Sequence, residues 1–234
     1  MAQSRDVQVM LGLSKPPIAI GYFVEPPVGV AKYAAGEVPA GCSFWQEAQK
    51  GESFYTEQSD HYNCAVGAYS HNIPLPAERE AELGETIGFM VEKNYLREEE
   101  VPMIPVLPES PRFVAYGPAA TAGFEPDVVT VAAEPVQAMI LYEAALRAGA
   151  GSITPKIVGR PGCAVEALTM GSGEAAMSLG CKGNRTFTGL VDSEMYVSVP
   201  GAKWDAVVDA VVDITGSNES MGEYYAGQKE KFAH

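Results

Sequence analysis

The chain has 234 residues and a mass of 24.9 kDa, is 47% hydrophobic, and carries a formal net charge of -14 with a mean hydropathy of -0.02. That size and apolar fraction can bury a full core, as one large domain or two packed lobes, and they exclude a disordered chain. Scattered Lys and Arg form no basic stripe to offset the acidity, and no apolar run approaches the ~20 residues of a membrane span, so nucleic acid and membranes are not expected partners.

The opening MAQSRDVQVMLGLSKPPIAI has neither a basic leader nor an uninterrupted apolar stretch, so a cytoplasmic protein is expected. PPIAIGYFV (17–25), bounded by prolines on both sides, predicts a buried strand. From 28 to 58 the pattern is irregular, with a short helix over Trp45–Lys50 closed by Gly51. Ser59 and Asp60 offer an N-cap for a helix over roughly 61–70, and the charge-rich stretch 77–99 has helical spacing. MIPVL (103–107) and RFVAYG (112–117) read as a strand pair around a proline-rich turn. DVVTVAA (127–133) is a strong strand, followed by a helix that Glu134-Pro135 opens and Gly149 ends. SITPKIV (152–158) and MYVSVP (195–200) read as further strands, and Lys203–Thr215 as an amphipathic helix before a polar tail over 216–234. Strands alternating with helices predict an α/β or α+β fold around a mixed sheet, built as a single unit over 1–234.

A weak internal repeat accompanies that pattern. Gly41-Cys42 aligns with Gly162-Cys163, each followed by Glu-Ala and then a glycine, and a second cysteine follows in each half, Cys64 and Cys181. Related halves of about 10–110 and 111–215 would follow, and such halves place ligands at their seam.

These four are the only cysteines. With no C-x-x-C pair, neither a zinc ribbon nor a thioredoxin motif is present, so the fold must supply the geometry of any shared site. In a reducing compartment the readings are a metal or cluster on Cys42, Cys64, Cys163 and Cys181, a reactive thiol, or four small buried hydrophobes. Cys64 would sit one turn into its helix, where the dipole lowers a thiol pKa, with His61 on the same face as proton acceptor, fourth ligand or a solvent-facing bystander. Cys181 lies between Gly180 and Gly183 with Lys182 and Arg185 alongside, a cationic loop suited to an anion, a cluster sulfide or a carboxylate. The alternative for Arg185 is a pairing with a surface carboxylate. GSGEAA (171–176) fits G-x-G-x-x-A loosely, but no clean strand leads into it, so nucleotide binding is not expected. Trp45, Phe54, Tyr55, Tyr62 and Tyr69 gather around the first cysteine pair, either as core or as the wall of a pocket.

The ordered motifs KPPIAIGYF, GCSFWQEAQKGESFY, DHYNCAVGAY, PDVVTVAAEPVQAMIL, GRPGCAV, LGCKGNRTFTGL and MYVSVPG resemble an uncharacterised prokaryotic family, domain of unknown function 169. The resemblance spans about residues 10–215 and puts the family's cysteine-bearing motifs on Cys42, Cys64, Cys163 and Cys181. It implies no reaction, although an association with anaerobes would suit an oxygen-sensitive cluster. The leading expectation is an iron–sulfur cluster, or failing that zinc, held by the four cysteines for redox or small-molecule conversion. Lys182, Gly180 and Gly183 would line the cofactor, with Cys64, His61 and Arg185 as chemical groups. Two rivals stand beside it: a non-catalytic binder of a small molecule or tetrapyrrole, and a cofactor-free enzyme with Cys64 as nucleophile and His61 as base. A redox partner or small ligand and a homodimer complete the expectations.

Overall fold

Ile18–Phe23 (β1) and Val128–Ala133 (β5) lie antiparallel at the centre of an eight-stranded sheet. Both are apolar runs with prolines kept outside the ladder, as a strand covered on both faces requires. The computed structural model describes residues 4–232. The remaining strands are Ala31–Lys32 (β2), Phe54–Glu57 (β3), Phe113–Pro118 (β4), Lys156–Val158 (β6), Ala176–Ser178 (β7) and Met195–Pro200 (β8). The helices are Ser4–Leu11 (α1), Ser43–Ala48 (α2), Ala65–Ser70 (α3), Ala77–Glu92 (α4), Pro135–Arg147 (α5), Ala164–Ser172 (α6), Lys182–Thr188 (α7) and Trp204–Lys231 (α8). The chain is therefore α/β with a mixed sheet.

The strand order β2-β3-β4-β1-β5-β8-β7-β6 reads the same from either edge once β1–β4 are matched with β5–β8. The registers obey the same match. Ile18 pairs with Thr130 and Ile20 with Val128 about the Ala19–Val129 pair, which places a pseudo-twofold axis there. β1 pairs with β4 from Ile18–Pro118 to Phe23–Phe113, and β5 with β8 from Val128–Pro200 to Ala133–Met195. β3–β4 and β7–β8 are antiparallel, whereas β2–β3 and β6–β7 are parallel. Two like units result, 18–118 and 128–200. The seam falls between them, so β4 closes the first unit, where a division at 110/111 gives it to the second.

Alternation along the strands builds two cores. Ile18, Ile20, Tyr116, Ala132 and Tyr196 meet Phe44 and Trp45 of α2 and Val165 of α6 on one face. On the other, Val129, Val131, Val197 and Val199 pack under α1, α5 and α8 through Val7, Leu141, Val207 and Val211. α5 begins with Pro135 and a Glu134–Gln137 capping box, and Gly149 follows its end at a φ of +66. The units also differ: α4 is inserted between α3 and β4 of the first, and α5 between β5 and β6 of the second.

Several expected elements change. Residues 103–107 form no strand; a 3-10 turn spans Glu98–Met103, and β4 is flanked by β1 and β3 instead. Pro102 and Pro105 remove N–H donors that a ladder would need. The strand expected over 152–158 shrinks to Lys156–Val158, directly after Pro155. The helix from 77 stops at Glu92, close to Asn94 at a φ of 54. The polar tail from Gly216 continues α8 unbroken to Lys231. Among the described residues no helix is long and apolar enough to cross a membrane.

Two glycines separate close approach from mere flexibility. A Cβ on Gly201 would lie 1.8 Å from the Pro126 carbonyl oxygen, where the Gly201 N–H also bonds Asp127 O at 2.8 Å, whereas one on Gly227 of α8 would meet nothing within 4 Å. Gly201→Ala should cost about 2 kcal/mol or more by forcing the β5 and β8 ends apart. Gly227→Ala should gain about 0.5–1 kcal/mol of helix propensity. Urea unfolding of both variants checks the opposite signs.

Candidate functional site

The four cysteines occupy two kinds of position, each kind once per unit. Cys42 and Cys163 open α2 and α6 with nearly identical backbone, φ -68 and ψ -11 against φ -68 and ψ -19. Cys64 and Cys181 are the N-caps of α3 and α7, in non-helical conformation, and each Sγ accepts the N–H three residues on, from Gly67 and Asn184, at 3.3 Å. A cysteine here does what serine does as a cap, satisfying an orphan donor of the first turn. This corrects the local expectation for Cys64. Gln58–His61 is a 3-10 turn whose Asp60 carboxylate accepts the Glu57 N–H, and the helix begins only at Ala65, so the thiol caps it. Cys181 likewise starts a helix and not a loop. Gly180 precedes it at a φ of +71.

All four thiols line one cavity of about 630 Å³. Cys42 and Cys163 are 7% exposed, and Cys64 and Cys181 are half-buried. Burial pushes the Cys42 thiol up to about 12, with repulsion from Cys64 and Cys181 adding to it. Burial also drives Cys163 well up, reinforced by the other three thiols. Cys64 is raised by burial as well, only partly offset by backbone N–H groups of Gly41 and Gly67. Left alone, Cys42, Cys64 and Cys163 are thiols and not thiolates, which weighs against Cys64 as an unassisted nucleophile. A cation among them would reverse that balance, because it favours the charged form of every ligand at once. Among the described residues no three His, Cys, Asp or Glu side chains are placed to grip one ion.

His61 is 1% exposed, and its ring makes no hydrogen bond to Cys64; only its carbonyl accepts the Cys64 N–H at 3.1 Å. Thr56 Oγ1 donates to Val114 O at 3.0 Å, so His61 Nε2, 2.9 Å from that hydroxyl, must carry the proton and donate. Nδ1 is then a bare, unpartnered lone pair. Burial lowers the His61 pKa to about 3, keeping the ring neutral. Lys182 and Gly183 line the cavity, and Gly180 lies in the adjoining groove with Arg185. The Arg185 guanidinium donates to the carbonyls of Leu179, Val191 and Glu194 at 2.6, 2.6 and 2.8 Å, closing the turn after α7. Trp45 and Phe54 are core residues; of the five aromatics near the first cysteine pair, Tyr69 lines the cavity. GSGEAA runs from the end of α6 into β7, helix to strand, the reverse of a dinucleotide loop.

A buried charge network beneath the cavity escaped the sequence reading. Glu166, fully buried, accepts from the Tyr22 hydroxyl and lies 2.7 Å from His71 Nε2. His71 Nδ1 is 2.8 Å from Gly67 O, and since a carbonyl only accepts, that nitrogen is protonated. A second proton must therefore lie between His71 Nε2 and Glu166, and the pair is neutral overall. Burial alone would lower the His71 pKa, but the Glu166 charge, its hydrogen bond and the Gly67 carbonyl outweigh it and hold the pKa above the ordinary value. Ser70 Oγ, 3.5 Å from Cys163 Sγ, links this network to the thiols. One signal was available: Glu166 is the lone charge in the apolar run CAVEAL. The other missed residue is Asn184, 3% exposed in the cavity wall, whose amide lies close to the Cys42 thiol and the Tyr196 hydroxyl but makes no hydrogen bond of regular geometry.

The family model for DUF169, described as uncharacterised ArCR, matches residues 7–210. An uncharacterized protein of Methanocaldococcus jannaschii is 27% identical over 158 residues, 65% of this chain and 67% of that protein. No solved structure matches the chain.

The two buried histidines give stability opposite pH limbs in the metal-free protein. His71, with its pKa raised on folding, contributes stability that is full below about pH 6.5 and lost as pH rises through the folded value. His61, whose pKa drops to about 3, withdraws stability as pH falls below about 6.5, because the unfolded chain then binds the proton. Glu166→Gln should cost about 3 kcal/mol at pH 6 and flatten the alkaline limb while leaving the acid limb. Urea unfolding from pH 4 to 9 checks it; an unchanged alkaline slope would remove the His71–Glu166 pair as the cause.

Proposed function

The chain belongs to the DUF169 family, and from that premise we propose that it is a four-cysteine protein binding an iron–sulfur cluster at the seam between its two units, for redox or small-molecule conversion. One observation carries the reading: cysteines spread from 42 to 181, in matched positions of two like units, all face one cavity. The donor set fits the group. A cluster takes four thiolates and is tuned by N–H groups on its sulfurs, and Cys64 and Cys181 already accept such bonds. Each thiolate of a four-iron cluster binds a different iron, so thiols placed around a cavity suit it. A single zinc needs four donors within about 2.0–2.3 Å of one point, which this spacing does not offer. Zinc is therefore the weaker alternative. Bound there, the group would supply one-electron or Lewis-acid chemistry, while the chain's own part is to anchor it, shield it under α4 and hold a proton nearby on His71–Glu166.

A second reading rests on the cavity's apolar wall from α4 and α7, which favours a non-catalytic binder of an organic molecule, including a tetrapyrrole.

Anaerobic purification followed by an absorption spectrum and iron, sulfide and zinc analysis tests both. The account expects broad absorbance near ~400 nm with iron and sulfide in proportion. Cys42→Ser, Cys64→Ser, Cys163→Ser and Cys181→Ser should each lose most of it. Sharp Soret-like bands would favour the tetrapyrrole, and a colourless, metal-free chain with four titratable thiols would sink the cluster.

A further inference from the structure

We infer that the same cavity binds an amphipathic organic anion, with its charged head at Lys182 and the Asn184 carboxamide and its apolar body against α4. The inference goes beyond the cluster and needs the cluster only for what then happens to the ligand.

The lining carries the first argument. The chain has 30 Asp and Glu against 16 Lys and Arg, yet the cavity is lined by Lys93, Arg160 and Lys182 and by no acidic residue. An acidic protein that clears its carboxylates from a cavity has made a place where an anion is not repelled by neighbouring carboxylates. The three cations are not equal. Lys93 is 2.5 Å from Glu92, and Arg160 is paired with Glu100 at 3.2 Å and stacked over Tyr95 at 5.0 Å. Lys182 has no ion-pair partner among the described residues, although it sits beside Cys181 at the start of α7. It is the cation available to a ligand.

Asn184 supplies the second. It is 3% exposed, and neither Oδ1 nor Nδ2 makes a hydrogen bond of regular geometry, the amide only lying close to the Cys42 thiol and the Tyr196 hydroxyl. A buried amide so weakly partnered is costly, and here it lines the cavity two residues, just over half a turn, from Lys182, whose side chain also lines it. A head group with acceptor oxygens would take the Nδ2 donors while pairing with the ammonium.

The third argument excludes a small inorganic anion. Leu83, Ile87 and Met90 recur at helical spacing on α4 and all line the cavity, facing Phe187 of α7. None of the α4 residues is buried, so this stripe has no full packing partner. An inorganic ion would leave it wet. About 630 Å³ suits a body the size of an ordinary small-molecule ligand. α4 is the insertion that the second unit lacks, so one unit contributes the apolar wall and the other the polar anchor.

Titration calorimetry with decanoate, decyl phosphate, decanol and decylammonium tests the inference on anaerobically purified protein and again after chelator stripping. The two anions should bind at least about tenfold more tightly than decanol, and decylammonium should not bind. Preference between carboxylate and phosphate then assigns the head. Lys182→Glu and Ile87→Glu, at unburied positions, should each weaken decanoate by about tenfold or more. Asn184→Leu should weaken it while leaving the thermal midpoint unchanged or raised, since it removes a weakly partnered buried amide; a purely structural asparagine would lower the midpoint. Decanol binding as tightly as decanoate, decylammonium binding, or no probe binding to the folded chain would overturn the inference. Cluster failure shows separately, as an absent ~400 nm band.

Discussion

Everything else in the molecule depends on how β1 meets β5. Three residues on each side, 18–20 and 128–130, pair antiparallel about Ala19 and Val129. Because side chains alternate, a slip of one residue there would turn Ile18 and Ile20 away from the cysteine-bearing core and expose the opposite face. Each unit is rigidly tied to its own central strand, β1 to β4 and β5 to β8 over six residues each. The seam therefore fixes where α2 and α3 stand relative to α6 and α7, and with them all four thiols. A shared site between two units follows from one short ladder.

On that symmetric frame the chemistry is asymmetric. Three residues past the matched cysteines stand Trp45 in α2 and Glu166 in α6, both buried to 1% or less. In the first unit the position holds a ring that packs on Tyr196; in the second it holds a carboxylate whose Oε2 meets Tyr22 and His71 while its buried Oε1 has no partner. A buried carboxylate in this setting is stable only with its proton partner at hand. Its place beside Ser70 and Cys163 sets a neutral, proton-holding pair next to a thiol that burial keeps protonated. A group that draws the thiolates together would gain a nearby proton site without adding a net buried charge.

Much of this was legible in the sequence, for physical reasons. Apolar runs bounded by proline marked β1, β5 and β8, and Pro135 with Gly149 marked α5. The repeat around Gly41-Cys42 and Gly162-Cys163 pointed to matched positions, and both cysteines open helices with similar backbone angles. What stayed hidden was set by tertiary contact. β3 and β7 are four and three residues long, too short for periodicity to register, and exist because β4 and β8 pair with them. α7 looked like a loop because its glycines and cations hid a seven-residue helix that Cys181 caps. Arg185 reads as a free cation until the carbonyls of 179, 191 and 194 are brought around it. His71 and Asn184 carry no local mark at all; one becomes part of a proton pair and the other a buried amide in the cavity wall only when the two units close on each other.

The central claim is that four distant thiols form one site. A time course of thiol alkylation in folded protein, purified anaerobically and read by peptide mass with and without chelator, tests it most directly. The account predicts that Cys42, Cys64, Cys163 and Cys181 are protected together and that chelator changes the protection of all four in one step. One fast-reacting cysteine beside three inert ones, indifferent to chelator, would contradict it.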